Sequence, residues 1–200
     1  MPYCTQKEFI FIHIPKTGGT GIESKLNLGH EENGFIIKDN IAYQHSNYQY
    51  YKNLLGEENF NKFLKFSVVR NPYTRIISDY FYIPVNNVAF KGGKSFNEFL
   101  LLVKDIVEQD KFLDNLYFDH FKPQHSFICN SNNKLMIDKL FYFEKFNEIE
   151  NFLFENFRIT DKQNILKGNY KKDQIILTNE QKKIIYNLYK KDFDIFGYNK

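Results

Sequence analysis

The first apolar block of the chain, residues 8–14 (Glu-Phe-Ile-Phe-Ile-His-Ile), is mostly β-branched and aromatic. It predicts a buried strand that ends at Pro15. Thr20 and Glu23 stand at capping-box spacing, which predicts a helix from there to about Leu28. Residues 29–44 are irregular, with polar turns around Gly29 and Gly34. Ser46 can cap a short helix that runs to Leu55 and stops at Gly56. A second apolar strand is predicted over residues 64–69. Arg70-Asn71-Pro72 breaks it, and Pro72 suits the first turn of a helix reaching about Tyr82. Pro84 and Gly92-Gly93 mark a loop. Ser95 and Glu98 form another capping box, after which Phe96, Phe99, Leu100, Val103 and Val107 share one helical face. Residues 110–135 read as loop-rich, 140–143 as a short strand and 146–157 as a helix. Thr178 and Gln181 cap a last helix whose Ile184, Ile185 and Leu188 face inward. Strands separated by helical stretches predict an α/β fold, a single domain over residues 1–200 with a central parallel sheet flanked by helices. Ligands of such sheets sit beyond the carboxyl ends of the strands. Lys16 and Arg70 each follow a strand and are expected to face one crevice.

At 200 residues the chain can bury a full core without staples. Most of its 22 Phe and 14 Tyr must lie in that core. The net charge of +3 is too small to imply nucleic-acid binding, but suits an anionic small molecule or an acidic glycan. Cys4 and Cys129 stand far apart and form neither a disulfide framework nor a zinc pattern, which fits a reducing compartment. Residues 1–7 contain no apolar leader, and no apolar run approaches the length of a membrane span. The expectation is a soluble protein without a membrane anchor.

Residues 15–20, Pro-Lys-Thr-Gly-Gly-Thr, lie between the first strand and the first helix. Gly18 and Gly19 allow positive φ and a close approach of the main chain to a ligand, with N–H groups aimed into a shared concavity. Lys16 adds a mobile positive charge, and the Thr17 and Thr20 hydroxyls add donors. The order differs from the nucleoside-triphosphatase loop, in which Lys follows the glycines. Arg70 leaves the second strand where a planar fork can hold a phosphate, and Ser78, two turns into the next helix, adds a hydroxyl. Arg75 and Asp79, four apart, read as an exposed helix pair. His13, inside the first strand, reads as a satisfied core histidine.

Taken together, Phe-Ile-His-Ile-Pro-Lys-Thr-Gly-Gly-Thr at 11–20 and Val-Arg-Asn-Pro-Tyr-Thr-Arg-Ile-Ile-Ser at 69–78 resemble the two signature motifs of sulfotransferases that use 3′-phosphoadenosine-5′-phosphosulfate (PAPS). The nearest branch is the carbohydrate sulfotransferases acting on glycosaminoglycans and other glycans. Asp-His-Phe-Lys-Pro-Gln at 119–124 and the Phe-Gly-Tyr ending at 196–198 extend the similarity along the chain. The resemblance implies a P-loop-like sulfotransferase fold, with PAPS as donor, a carbohydrate hydroxyl as acceptor and no metal requirement. The lack of the Golgi anchor carried by many larger relatives implies a microbial, cytoplasmic version. Lys16, Thr17, Gly18, Gly19 and Thr20 would hold the 5′-phosphosulfate, with Lys16 stabilising the leaving oxygen. Arg70 and Ser78 would hold the 3′-phosphate. His45 is the chosen base, since imidazole has the right pKa range and relatives often place a His there, with His120 and His125 as rivals. Glu23 is assigned to capping its helix. Asp119 and Glu144 are candidates for orienting a His, and the basic run at 167–172 for covering the nucleotide. A small-molecule kinase with an atypical phosphate loop and a non-catalytic nucleotide- or glycan-binding module are the alternatives.

Overall fold

The computed structural model describes residues 2–28, 37–38, 41–86, 94–159 and 175–200, with the backbone alone at 37–38, 41–42 and 84–86. Its contacts gather into two compact units of interleaved segments: Met1–Lys38, Ala42–Arg70 and Gln124–Lys167 in the first; Asp39–Ile41, Asn71–Pro123 and Gly168–Lys200 in the second.

The first unit is built on a sheet of four strands: β1 (Tyr3–Cys4), β2 (Phe9–Ile12), β5 (Leu64–Val69) and β6 (Lys139–Tyr142), in the order β1-β2-β5-β6. β2, β5 and β6 are parallel, and β1 is an antiparallel edge too short for its sequence to announce. Two further short strands, β3 (Ile37–Lys38) and β4 (Ile41–Ala42), form a separate two-stranded sheet. Phe9, Phe11, Phe66 and Val68 project from one sheet face onto α1 (Gly19–Lys25) and α6 (Phe146–Phe157). There they pack with Ile22, Leu26, Ile149, Phe152 and Leu153. Ile10, Ile12 and Val69 on the other face are buried too, which is why β2 and β5 read as continuous apolar runs. This is the α/β, mostly parallel, helix-flanked architecture expected.

Local chemistry displaced several helix ends. α1 begins at Gly19 after a left-handed Gly18, not at a Thr20 cap. α2 (Tyr48–Lys62) is capped by Asn47, one residue after Ser46; the non-helical Gly56 (φ 79°, ψ 158°) interrupts it where the sequence implied a stop, and a second helical stretch continues to Lys62. The Ser46 hydroxyl donates to the Tyr43 carbonyl.

The second unit is helical: α3 (Pro72–Asn86), α4 (Phe96–Glu108), α7 (Asn179–Leu188) and α8 (Lys190–Phe196). α3 starts at Pro72 as expected but runs through Pro84. The α4 and α7 capping boxes form as read from Ser95 and Thr178. Ile106 joins the buried face of α4, Val107 packs partly buried against the same core, and Ile185 is fully buried on α7. The chain turns once more after α7 to form α8, closed by a left-handed Gly197. The Gly92-Gly93 turn lies outside the described residues. Residues 118–121 form a 3-10 turn inside the loop-rich stretch. α5 (His125–Ile128) belongs to the first unit. No helix among the described residues is long and apolar enough to cross a membrane.

Arg75 and Asp79 are not an exposed pair: Arg75 is 1 % exposed and Asp79 0 %. The Arg75 guanidinium donates to the His120 and Lys122 carbonyls, tying α3 to the 118–121 turn. Replacing it with Met would strand both acceptors in the core. Arg75→Met is expected to lower unfolding stability by about 3 kcal/mol in denaturant titration. Arg75→Lys should recover less than half, because an ammonium lacks the planar fork that reaches both carbonyls.

Candidate active site

Beyond β2 the chain makes a tight turn with two left-handed residues, Lys16 (φ 66°) and Gly18 (φ 87°). Glycine adopts this conformation freely, but at Lys16 the Cβ makes it costly. Thr17, between them, is fully buried, and its hydroxyl donates to the Ile14 carbonyl at 2.8 Å. The hydroxyl expected to donate to an anion is therefore spent bracing the loop. Gly18 is the N-cap of α1 and supplies no side-chain cap to its first turn, where Thr20 is exposed.

Gly19 is required for a different reason from the positive φ expected of it. A Cβ built there would lie 2.0 Å from Cδ2 and 2.2 Å from Nε2 of His13. The imidazole forms the floor of the loop and leaves no room for a side chain. His13 is buried, and its Nδ1 lies 2.5 Å from Oε1 of Glu23. It is the satisfied core histidine the sequence suggested. Glu23, assigned to capping, instead fixes that ring. Behind it Tyr51 is fully buried, its phenol pushed well above the usual range by burial and then by the Glu23 carboxylate.

His45 closes a 3-10 turn (Tyr43–His45) and is half-buried. Its ring stands edge-on to His13, centroids 4.9 Å apart at 89°. Gln44 Nε2 lies 3.0 Å from His45 Nε2, an approach in which the amide donates to a deprotonated ring nitrogen.

Arg70 immediately follows β5, which pairs in parallel with β2, so both strands end at one edge. The Ser67 hydroxyl bridges them to the Ile12 carbonyl at 2.6 Å. Arg70 is 6 % exposed, and its Nη1 donates to the Lys16 carbonyl at 3.1 Å. The guanidinium lies over the Phe143 ring, 4.2 Å from its centroid. Gln124, fully buried, grips the Arg70 main chain from both sides. Its Oε1 accepts from the Arg70 N–H and its Nε2 donates to the Arg70 carbonyl, each at 2.8 Å. The structure thus joins Lys16 directly to Arg70, and joins His45 to the floor of the same loop. Gln124 and Phe143 were not singled out individually; the only signal was Gln124's place in the 119–124 segment.

His125 is half-buried on α5 in the first unit. Ser78 is buried on α3 in the second unit. His120 belongs to that unit too; its Nδ1 lies 2.8 Å from Asp79 Oδ1 and its ring stacks on Tyr82. A carboxylate on His120 is therefore supplied by Asp79, a residue read from sequence as surface. The 167–172 run lies outside the described residues.

Gly19→Ala should force the loop off the His13 ring. Titration with adenosine 3′,5′-diphosphate should show at least a tenfold loss of affinity, roughly 1.4 kcal/mol. Removing the ring as well, in Gly19→Ala/His13→Ala, should return part of that loss.

A family model described as the sulfotransferase family matches residues 2–199. No curated protein and no solved structure matches the chain. The match takes in the loop at 15–20, the strand ending at Arg70 and the segment carrying Gln124, so the chain belongs to the sulfotransferase family, whose members transfer sulfuryl groups.

Proposed function

We propose that the chain, as one sulfotransferase domain over residues 1–200, moves a sulfuryl group from PAPS to a carbohydrate hydroxyl without a metal ion. The observation that carries this reading is the contact between Arg70 and the Lys16 carbonyl, which brings two cationic residues together past adjacent strand ends. A donor phosphorylated at both ends needs two such groups. The loop suits the donor's 5′ end: two left-handed residues, a glycine with no side chain above His13 and an N-cap without a side-chain cap leave main-chain N–H groups of Gly18, Gly19 and Thr20 to face an anion. Arg70 takes the 3′-phosphate, which distinguishes PAPS from nucleotides lacking it; Ser78 is assigned to the same phosphate by the family resemblance alone.

The residues' work in the reaction follows from charge. His45 accepts the proton of the acceptor hydroxyl as its oxygen bonds to sulfur, the hydroxyl taking the place of the Gln44 amide at Nε2. Lys16 neutralises the oxygen that keeps the electron pair when the bond from sulfur to the phosphate side breaks. The loop holds the two reactants in line. Cys4 and Cys129, which form no disulfide among the described residues, suit a reducing cytoplasm. The basic run at 167–172 is a candidate cover for the nucleotide.

Thermal-shift titration separates this reading from a kinase. Adenosine 3′,5′-diphosphate should raise the unfolding midpoint, whereas ATP with Mg²⁺ should leave it nearly unchanged; the reverse order would overturn the donor assignment. Turnover of PAPS against a panel of polysaccharides, read by product mass, then tests the chemistry. No sulfated product from any acceptor, with nucleotide binding intact, would favour a non-catalytic binding module.

In that assay Lys16→Ala should lower kcat by about 10²–10³-fold with a smaller effect on donor KM. His45→Ala should lower kcat by about 10²–10⁴-fold. Full turnover in His45→Ala would move the base to His120 or His125.

A further inference from the structure

A lysine in the left-handed region needs something to hold it there. At Lys16 the Arg70 guanidinium, donating to its carbonyl, is a contact that can do so. The guanidinium is itself fixed from two directions. Phe143 supports its face, and Gln124 locks the peptide groups on either side of the Arg70 Cα. Gln124 spends one amide donor and its amide oxygen on this one residue and is fully buried.

We propose that Arg70 is a positioning residue for the phosphosulfate loop as well as a ligand of the 3′-phosphate, and that Gln124 and Phe143 act through it. Nη1 clips the Lys16 carbonyl and keeps the lysine in its left-handed conformation, which aims the main-chain N–H groups that follow. Contact between Arg70 and a 3′-phosphate is then felt at Lys16 through one shared side chain. This coupling rests on the donor reading given above; the clip itself does not.

Hydrogen exchange of the ligand-free protein tests the clip alone. Arg70→Ala and Gln124→Ala should each speed exchange at the amides of residues 16–19 by at least about tenfold, with strands β2 and β5 unchanged. Arg70→Lys keeps the charge and guards against a folding failure; it should show the same loop-specific change. Unaltered loop exchange in all three variants would overturn the proposal. Calorimetry with PAPS and adenosine 5′-phosphosulfate, which differ only in the 3′-phosphate, tests the coupling. If Arg70 only reads the 3′-phosphate, Arg70→Ala weakens PAPS and leaves adenosine 5′-phosphosulfate within twofold of wild type, which overturns the positioning role. The proposal expects both ligands to weaken, the one lacking the 3′-phosphate by about fivefold or more, and Gln124→Ala to do so in the same direction. Wild-type protein that binds neither nucleotide would sink the donor reading, and the exchange data would still judge the clip.

Discussion

Parallel pairing in one register governs the first unit's site. β2, β5 and β6 run the same way, so their carboxyl ends leave the sheet side by side. The pairing of Ile12 with Ser67 and of Val69 with Tyr142 sets what comes next on each strand. β2 leads into the loop with Lys16, β5 into Arg70 and β6 into Phe143. Arg70 and Phe143 each lie one residue past a paired position, which puts the guanidinium over the ring. A slip of one residue in β6 would turn its side chains to the opposite faces and remove that platform. The antiparallel edge strand β1 points the other way and takes no part.

The two units keep separate cores of different character. The first buries phenylalanine from both sheet and helices, with Phe9 and Phe11 each in ring contact with Phe66. One of its buried charges, Lys65, is satisfied by the Phe60 and Phe63 carbonyls and by Asp138. The second unit encloses a larger polar group within its helices. Arg75, Asp79 and Asp192 lie close enough to Tyr189 to influence its phenol electrostatically. Burial raises the Tyr189 phenol far above its usual range while Arg75 opposes the rise, and its hydroxyl donates to the Phe121 carbonyl. Buried charges are costly unless paired and hydrogen-bonded, so this cluster specifies how the helices of the unit dock at least as much as it stabilises them.

Periodicity and punctuation carried the elements whose signals are local. β5 ends where Arg70-Asn-Pro breaks the pattern, and the Ser95 and Thr178 boxes start their helices as the sequence implies. What was illegible depends on contacts distant in sequence. Glu23 stands at capping spacing from Thr20, yet its carboxylate meets a histidine ten residues back, because the helix begins earlier, at the Gly18 cap. Arg75 and Asp79 look like an i, i+4 surface pair, since nothing local says that the 118–121 turn covers them. Gly19 looked like a second positive-φ glycine, although the constraint is the ring of His13. Gln124 gave no chemical hint, because its role is to complete another residue's peptide bonds 54 positions away.

The energetics of Lys16 explain why such an arrangement would be retained. A non-glycine residue in the left-handed region costs about 1–2 kcal/mol. A hydrogen bond from a charged donor contributes about 1.5–3 kcal/mol. The two nearly cancel, so the Arg70 clip is strong enough to hold the loop in shape and too weak to make that shape unconditional. A glycine at position 16 would remove the strain but also the cation. A clip anchored only by the flexible arginine stem would lose part of its contribution to side-chain entropy. Gln124 and Phe143 limit that loss by fixing the main chain and the guanidinium face before any ligand arrives. The small remaining margin leaves the interactions of an anion in the loop to decide its final geometry.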